Sequence, residues 1–356
     1  MLPPRLLRRL VLAPLAVAMA LAVVALLPLL APLTLALSLL RHGTLGRMRA
    51  FRLLFFTLVW LAAESSALFM SLGLWIASGF GGRLDTEPYH RRHYAVMRWY
   101  LDLVFRAAVR LFGLRVVIDE PEGCAATSAA AEAQPVIVVS RHAGPGDTFL
   151  LVHFLITRYG RRPHVVMKDT LQLDPGLDVI ANRVPNVFIG RQQAGQGRFV
   201  EQIERLSRGL GRGDALVIFP EGGNWTPRRW RRGIRRLKRA GRPDLAARAR
   251  AMPNVLAPRA GGVLSAIAAC PEADVIFVAH AGLDQLVSAG DVWRSLPLDQ
   301  VVQATWWRVP ADEVPRSGDR EAQVRWLYDW WQRIDAWITQ HRPGDAEDEQ
   351  VPARSG

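Results

Sequence analysis

Two long apolar stretches open the chain. Leu10–Leu40 runs for 31 residues without a charge, more than the roughly 20 helical residues that cross a hydrocarbon layer. Leu53–Phe80 carries Glu64 as its one charge. Pro14, Pro28 and Pro32 interrupt the first stretch, so the pattern allows a straight span or a kinked hairpin that returns to the face it entered. Arg5, Arg8 and Arg9 ahead of it would also suit a cleaved signal peptide, but the run exceeds the about 7–15 residues expected of one, and a second apolar stretch follows. Arginines stand before the first stretch, between the two (Arg41, Arg47, Arg49, Arg52) and after the second (Arg83, Arg91, Arg92). By the positive-inside rule, the chain from about residue 83 lies on the same side as the N-terminus, the cytoplasmic face of a membrane. The expected plan is a membrane-anchoring segment over 1–82, a body over 83–342 and a polar tail over 343–356.

Within the body, short β-branched runs alternate with helical stretches. Arg115–Asp119, Pro135–Ser140, Val187–Gly190, Ala215–Pro220 and Asp274–His280 read as buried strands. Thr148–Tyr159, Ala194–Gly209 and Gly261–Ala269 read as helices. This alternation predicts an α/β fold, a largely parallel or mixed sheet flanked by helices. Pro121–Gln134, rich in Ala, Glu and Gly, reads as a loop. Val324, Leu327, Trp330, Ile334, Trp337 and Ile338 recur at helical spacing over Asp319–His341, predicting a last helix that packs an aromatic stripe on the body.

Composition narrows the class. Half of the 356 residues are hydrophobic and 22% are charged, which excludes a disordered chain. Cys124 and Cys270 stand alone, so neither a disulfide framework nor a cysteine zinc site is indicated. Of the net +13, eight cations and no acid fall between Arg228 and Arg239. Trp230, Ile234 and Leu237 lie at i, i+4 and i+7 there, giving a basic helix with one apolar face. That suits an anionic membrane surface or a phosphate-bearing substrate, with Arg228, Arg229, Trp230, Arg231 and Arg232 as contacts. Basic, aromatic patches also bind nucleic acid, but no nucleic-acid motif accompanies this one and none is expected as partner.

Three segments could carry chemistry. In Ser140-Arg141-His142-Ala143-Gly144-Pro145-Gly146-Asp147-Thr148, a strand gives way to a helix. On a straight helix His142 and Asp147 would diverge, whereas Gly-Pro-Gly permits a bend that folds the carboxylate onto the imidazole. Asp147 would then orient His142 as a general base. The residue types leave other roles open: an N-capping Asp beside a surface His, a metal held by His142, Asp147 and His153, or Ser140 as nucleophile, for which no elbow motif is present. Phe219-Pro220-Glu221-Gly222-Gly223 again follows a strand, and its glycines let the backbone approach a phosphate or hydroxyl beside Glu221. Asn224-Trp225-Thr226 fits the glycosylation pattern, which a cytoplasmic domain would not use. Asn186–Arg191 is a short strand ending in Arg191, whose planar fork suits a phosphate monoester.

Together and in this order, these segments resemble the 1-acyl-sn-glycerol-3-phosphate acyltransferases, over roughly residues 90–310. The family's H-x4-D, an apolar run ending in Arg, F-P-E-G and a Pro-containing fourth block stand here as His142…Asp147, Phe188–Arg191, Phe219–Gly222 and Ala257–Gly262. Lys168 matches a lysine between the first two blocks. The resemblance implies a glycerolipid-acyltransferase-like fold. It also implies acyl transfer from acyl-CoA or acyl-carrier protein to a lysophospholipid hydroxyl, without cofactor, metal or covalent acyl-enzyme. By it, His142 takes the hydroxyl proton and Asp147 supports it. Lys168 and Arg191 bind the acceptor phosphate, Glu221 and Gly222 position the acceptor, and Pro258 and Arg259 form the fourth block. Two departures bear on the acceptor: Gly223-Asn224 stands where Thr-Arg often follows F-P-E-G, and Arg141 where Asn often precedes the His.

Overall fold

The computed structural model describes residues 2–42, 48–120, 134–144, 146–190, 197–283, 290, 293–294, 296–298, 301–316 and 318–342. Helix α1, Arg5–His42, continues through its three prolines, and α2, Arg49–Ala77, packs along it. Both are long and apolar enough to cross a bilayer. Each is also tied to the body. Arg8 and Arg9 of α1 donate to Asp178 at 2.7 and 3.0 Å. Along α2, Arg49 donates to the Leu296 carbonyl, Arg52 to the Leu111 carbonyl, Trp60 to the Tyr100 hydroxyl, and the Gly176 amide to Glu64. At its end, the Ala77 carbonyl accepts from Tyr89. The α2 helix therefore lies along the body from its first turn to its last.

The body begins with α3, Glu87–Ala107, started by Pro88. A π-turn over Ala108–Phe112 and Gly113 at φ 71° lead it into β1, Arg115–Asp119. Then follow β2 (Val136–Ser140), α4 (Asp147–Thr157), β3 (Arg162–Lys168), a 3₁₀ turn (Asp169–Leu173), α5 (Pro175–Ala181), β4 (Val187–Ile189) and α6 (Gly197–Arg208). The chain continues through β5 (Asp214–Ile218), α7 (Pro227–Arg239), α8 (Pro243–Arg250), α9 (Ala260–Ala269), β6 (Asp274–Ala281), β7 (Val301–Val309) and α10 (Arg320–His341). The seven strands form one sheet in the order β1-β7-β6-β2-β5-β3-β4. All neighbours are parallel except β6 and β7, so the sheet is mixed.

Every residue of β2 and β5 is buried, as expected of parallel strands covered on both faces. Ile137, Val139, Leu216 and Ile218 pack toward a cluster that includes residues of α6, α8, α9 and α10. Val136, Val138, Ala215 and Val217 pack toward residues of α3 and α4. Because strand ends of one direction share an edge, the segments leaving β2, β5 and β6 meet at one place.

Three local expectations differ. β3 and β7 are strands that the run pattern did not announce. On α10 the fully buried indole is Trp331, whose Nε1 donates to the Leu256 carbonyl at 3.0 Å, while Trp330 and Trp337 are only partly covered. Loop 121–133, the first residues of the expected helix at 194–196, and the tail 343–356 lie outside the described residues.

Candidate active site

Two residues past β2, His142 meets Asp147, the first residue of α4. Its Nδ1 lies 3.0 and 2.9 Å from the two carboxylate oxygens. A carboxylate only accepts, so Nδ1 donates to it, and Nε2 is the nitrogen turned away from the carboxylate. Asp147 is 4% exposed and also accepts from the amides of Ala143 (2.8 Å), Gly144 (3.2 Å) and Thr148 (2.6 Å). The bend therefore forms as its sequence requires, with Pro145 itself outside the described residues. Burial alone would raise the Asp147 carboxyl. The His142 hydrogen bond, the charges of His280 and His142 and the Gly144 amide outweigh it and hold the group below the ordinary carboxylate range. The His142 ring leans on Phe219, with centroids 4.8 Å apart.

The Phe219–Thr226 segment, leaving β5, is stitched to this pair. Trp225 donates its amide to the His142 carbonyl at 2.8 Å. Glu221 is 4% exposed and accepts from the amides of His142 (3.2 Å) and Leu256 (3.3 Å). Its carboxylate is thus occupied in holding the His142 backbone rather than open to a ligand. Burial pushes it up to about 8, opposed chiefly by Arg141.

The fourth block closes over the same place, as Arg259 donates its amide to the Pro220 carbonyl at 3.0 Å. Pro258 is buried, and the exposed Arg259 side chain lies against Gly222. A Cβ on Gly222, which sits at φ +71°, would come within 3.0 Å of the Arg259 guanidinium carbon. Arg229 lies likewise over Gly223, and donates to the Asn224 carbonyl at 2.9 Å. Two guanidinium groups therefore flank the glycines beside the His142 segment. Lys168 ends β3 on the same edge. Arg191 lies outside the described residues.

Other expected roles are not formed. His153 is stacked on Phe105 at 4.2 Å, pushed down to about 4 by burial with help from Arg106, so the trio of His142, Asp147 and His153 does not assemble. Ser140 is buried, with its hydroxyl on the Arg141 carbonyl. On the basic helix α7, Trp230 points into the body, donating to the Ala249 and Met252 carbonyls at 3.1 and 2.9 Å. The apolar face that suggested a lipid contact is core: Ile234 is buried and Leu237 packs beside it. Arg228, Arg229, Arg231 and Arg232 remain exposed.

Sequence reasoning missed His280, and noted Arg141 only as a departure from the Asn that often precedes the family's His. His280 Nε2 lies 3.8 Å from Asp147 and 3.4 Å from the Arg141 carbonyl. The signal for His280 was its position at the end of an apolar run.

No curated protein matches the chain. Residues 124–260 match the family model described as Acyltransferase. This stretch contains His142, Asp147, Glu221, Gly222 and Arg259, and it ends before α10. The chain carries an acyltransferase domain on a mixed α/β sheet, and the match supports acyl transfer as its general chemistry.

Proposed function

We propose that the protein is a membrane-associated O-acyltransferase that esterifies a lysophospholipid hydroxyl, with 1-acylglycerol 3-phosphate as the acceptor and acyl-CoA or acyl-carrier protein as donor. His142 Nε2 takes the acceptor hydroxyl proton while the oxygen attacks the thioester carbonyl. The tetrahedral oxyanion then collapses, the C–S bond breaks, and the thiolate recovers the proton from the imidazolium. Asp147 holds the ring in the productive tautomer and stabilises its charged form. Arg229 and Arg259, with Lys168 and Arg191, bind the acceptor phosphate, where two fork-shaped donors suit its oxygens. Arg229 thereby supplies a cation near the acceptor even though Gly223-Asn224 follows the Glu-Gly pair. Helices α1 and α2 keep the site at the bilayer, on the cytoplasmic face, and the exposed arginines of α7 meet anionic lipid.

The observation that carries this reading is the His142–Asp147 pair at the edge of the sheet, next to two guanidinium groups over a glycine turn. Its test is transfer of labelled acyl groups to a panel of acceptors by the full-length protein in detergent. His142→Ala should lower turnover by about 10²–10⁴, the range a general base supplies, with membrane association intact. Turnover near wild type in that variant refutes the base. Equal use of acceptors with and without the phosphate removes the arginines from their role and turns the reading to a neutral lysolipid or glycolipid acceptor.

A further inference from the structure

The 3₁₀ turn Asp169–Leu173 joins β3 to α5. Among the described residues after 120, Leu171 and Leu173 are the large apolar side chains left exposed, at 42% and 49%. A scattered apolar residue on a surface needs no partner, but these two flank a residue that is pinned. Gln172 Oε1 accepts from Arg8 Nη2 at 2.9 Å and from Asn182 Nδ2 at 3.3 Å, while its Nε2 donates to the Asp169 carbonyl at 3.3 Å. A 3₁₀ turn advances about 120° per residue, so with Gln172 facing in, both of its neighbours face out. The Asp174 amide closes the turn on the Leu171 carbonyl at 3.1 Å.

The place of the turn gives the pair a partner. Arg8, which reaches Gln172, stands in the first turns of α1 among Leu6, Leu7 and Leu10, all of them exposed. Three residues past the turn, the Gly176 amide donates to Glu64 of α2. The turn is thus tied to two helices, each long and apolar enough to cross a bilayer. On its other side it follows Lys168, exposed at the end of β3 and on the strand edge that carries His142. We infer that the 169–173 turn is a bilayer contact of the catalytic body: Leu171 and Leu173 enter the hydrocarbon beside the first turns of α1, and the acceptor lipid passes from that contact to Lys168, a route that rests on the acyl-transfer reading. Apolar surface gains by leaving water, and leucines continuous with the exposed leucines of α1 extend one apolar surface into the acyl-chain boundary. A lysolipid drawn along that surface reaches the site without its chain crossing water.

The test places single cysteines in the full-length protein, Leu171→Cys or Leu173→Cys in a Cys124→Ser background, Cys270 being buried. Each is labelled with nitrobenzoxadiazole and reconstituted in vesicles of phosphatidylcholine and phosphatidylglycerol, with Arg320→Cys, exposed at the start of α10, as the water-facing reference. The fluorophore at 171 and 173 should shift its emission to shorter wavelength, lose intensity to phosphatidylcholine spin-labelled on its acyl chain, and resist iodide. A probe quenched by iodide as fully as the reference, or shielded by protein from both quenchers, overturns the bilayer contact. Kinetics test the route: Leu171→Gln with Leu173→Gln should raise KM for a lysophospholipid presented in those vesicles by about tenfold, with kcat within about twofold and KM for the acyl donor unchanged. An unchanged acceptor KM overturns the route. A lipid-quenched probe on protein that transfers no acyl group sinks the acyl-transfer reading and leaves the bilayer contact standing. Probes in water on an active protein sink the bilayer contact alone.

Discussion

His142 and Asp147 are five residues apart and share two short contacts, so their geometry is a property of one bend. Glu221 reaches that bend from another strand, and its burial has a consequence that pH can expose. Its folded-state value is raised from 4.5 to about 8. A raised acid contributes stability that is fully present below about 4.5 and is lost as pH rises through about 8. Asp147 works in the opposite sense. Its value is depressed, so its contribution is present above the ordinary carboxylate range and disappears as pH falls through the folded value. Denaturant unfolding across pH should show a decline between about 4.5 and 8 that flattens in Glu221→Gln; an unchanged slope in that variant contradicts the assignment.

At the scale of elements, α7 does two jobs with two faces. Thr226 caps it by accepting the Arg229 amide at 3.2 Å, which fixes the turn carrying Arg229 over Gly223. Thr226→Ala should cost about 1 kcal/mol of stability, the usual worth of such a cap, and should raise KM for the acceptor because Arg229 loses its anchored turn. Kinetics together with a melting curve distinguish this from a purely structural loss. The outer face is cationic. At about 1 kcal/mol per cation near an anionic surface, Arg231→Gln with Arg232→Gln should weaken flotation with anionic vesicles by roughly 30-fold. Binding to neutral vesicles should be unchanged, and equal binding of both proteins to anionic vesicles would remove α7 from the membrane contact.

For the whole molecule, the two N-terminal helices and the body are joined by charge as well as by apolar packing. Asp178 is buried and holds both Arg8 and Arg9. Breaking such a pair from one side leaves an uncompensated charge and costs about 3–5 kcal/mol. Asp178→Asn should therefore lower the melting temperature in detergent markedly, and an unaltered melting curve would show that the α1 contact contributes little. Because α2 touches the body along its whole length, a hairpin lying in one leaflet keeps all of these contacts.

Much of this was legible in the chain because it is local. Unbroken apolar runs mark β2, β5 and β6, since strands covered on both faces need no alternation. The H-x4-D spacing across glycines marks the His142–Asp147 contact, and Phe219–Gly222 marks the turn beside it. β3 was hidden by Pro163 and His164, and β7 by the polar positions Gln303, Thr305 and Arg308 in a strand inserted between β1 and β6. The apolar stripe of α7 was visible, but whether it met lipid or core depended on α8, which supplies the Ala249 carbonyl to Trp230. Arg141 and Glu221 could not be understood alone, because a buried polar group needs partners, and theirs include the His280, Asn254 and Leu256 backbone from far along the chain. Sequence by itself determined the strands made of unbroken apolar runs and set His142 and Asp147 on one short bend; tertiary structure decided which charges are buried and which segments meet at that bend, because those contacts join residues far apart along the chain.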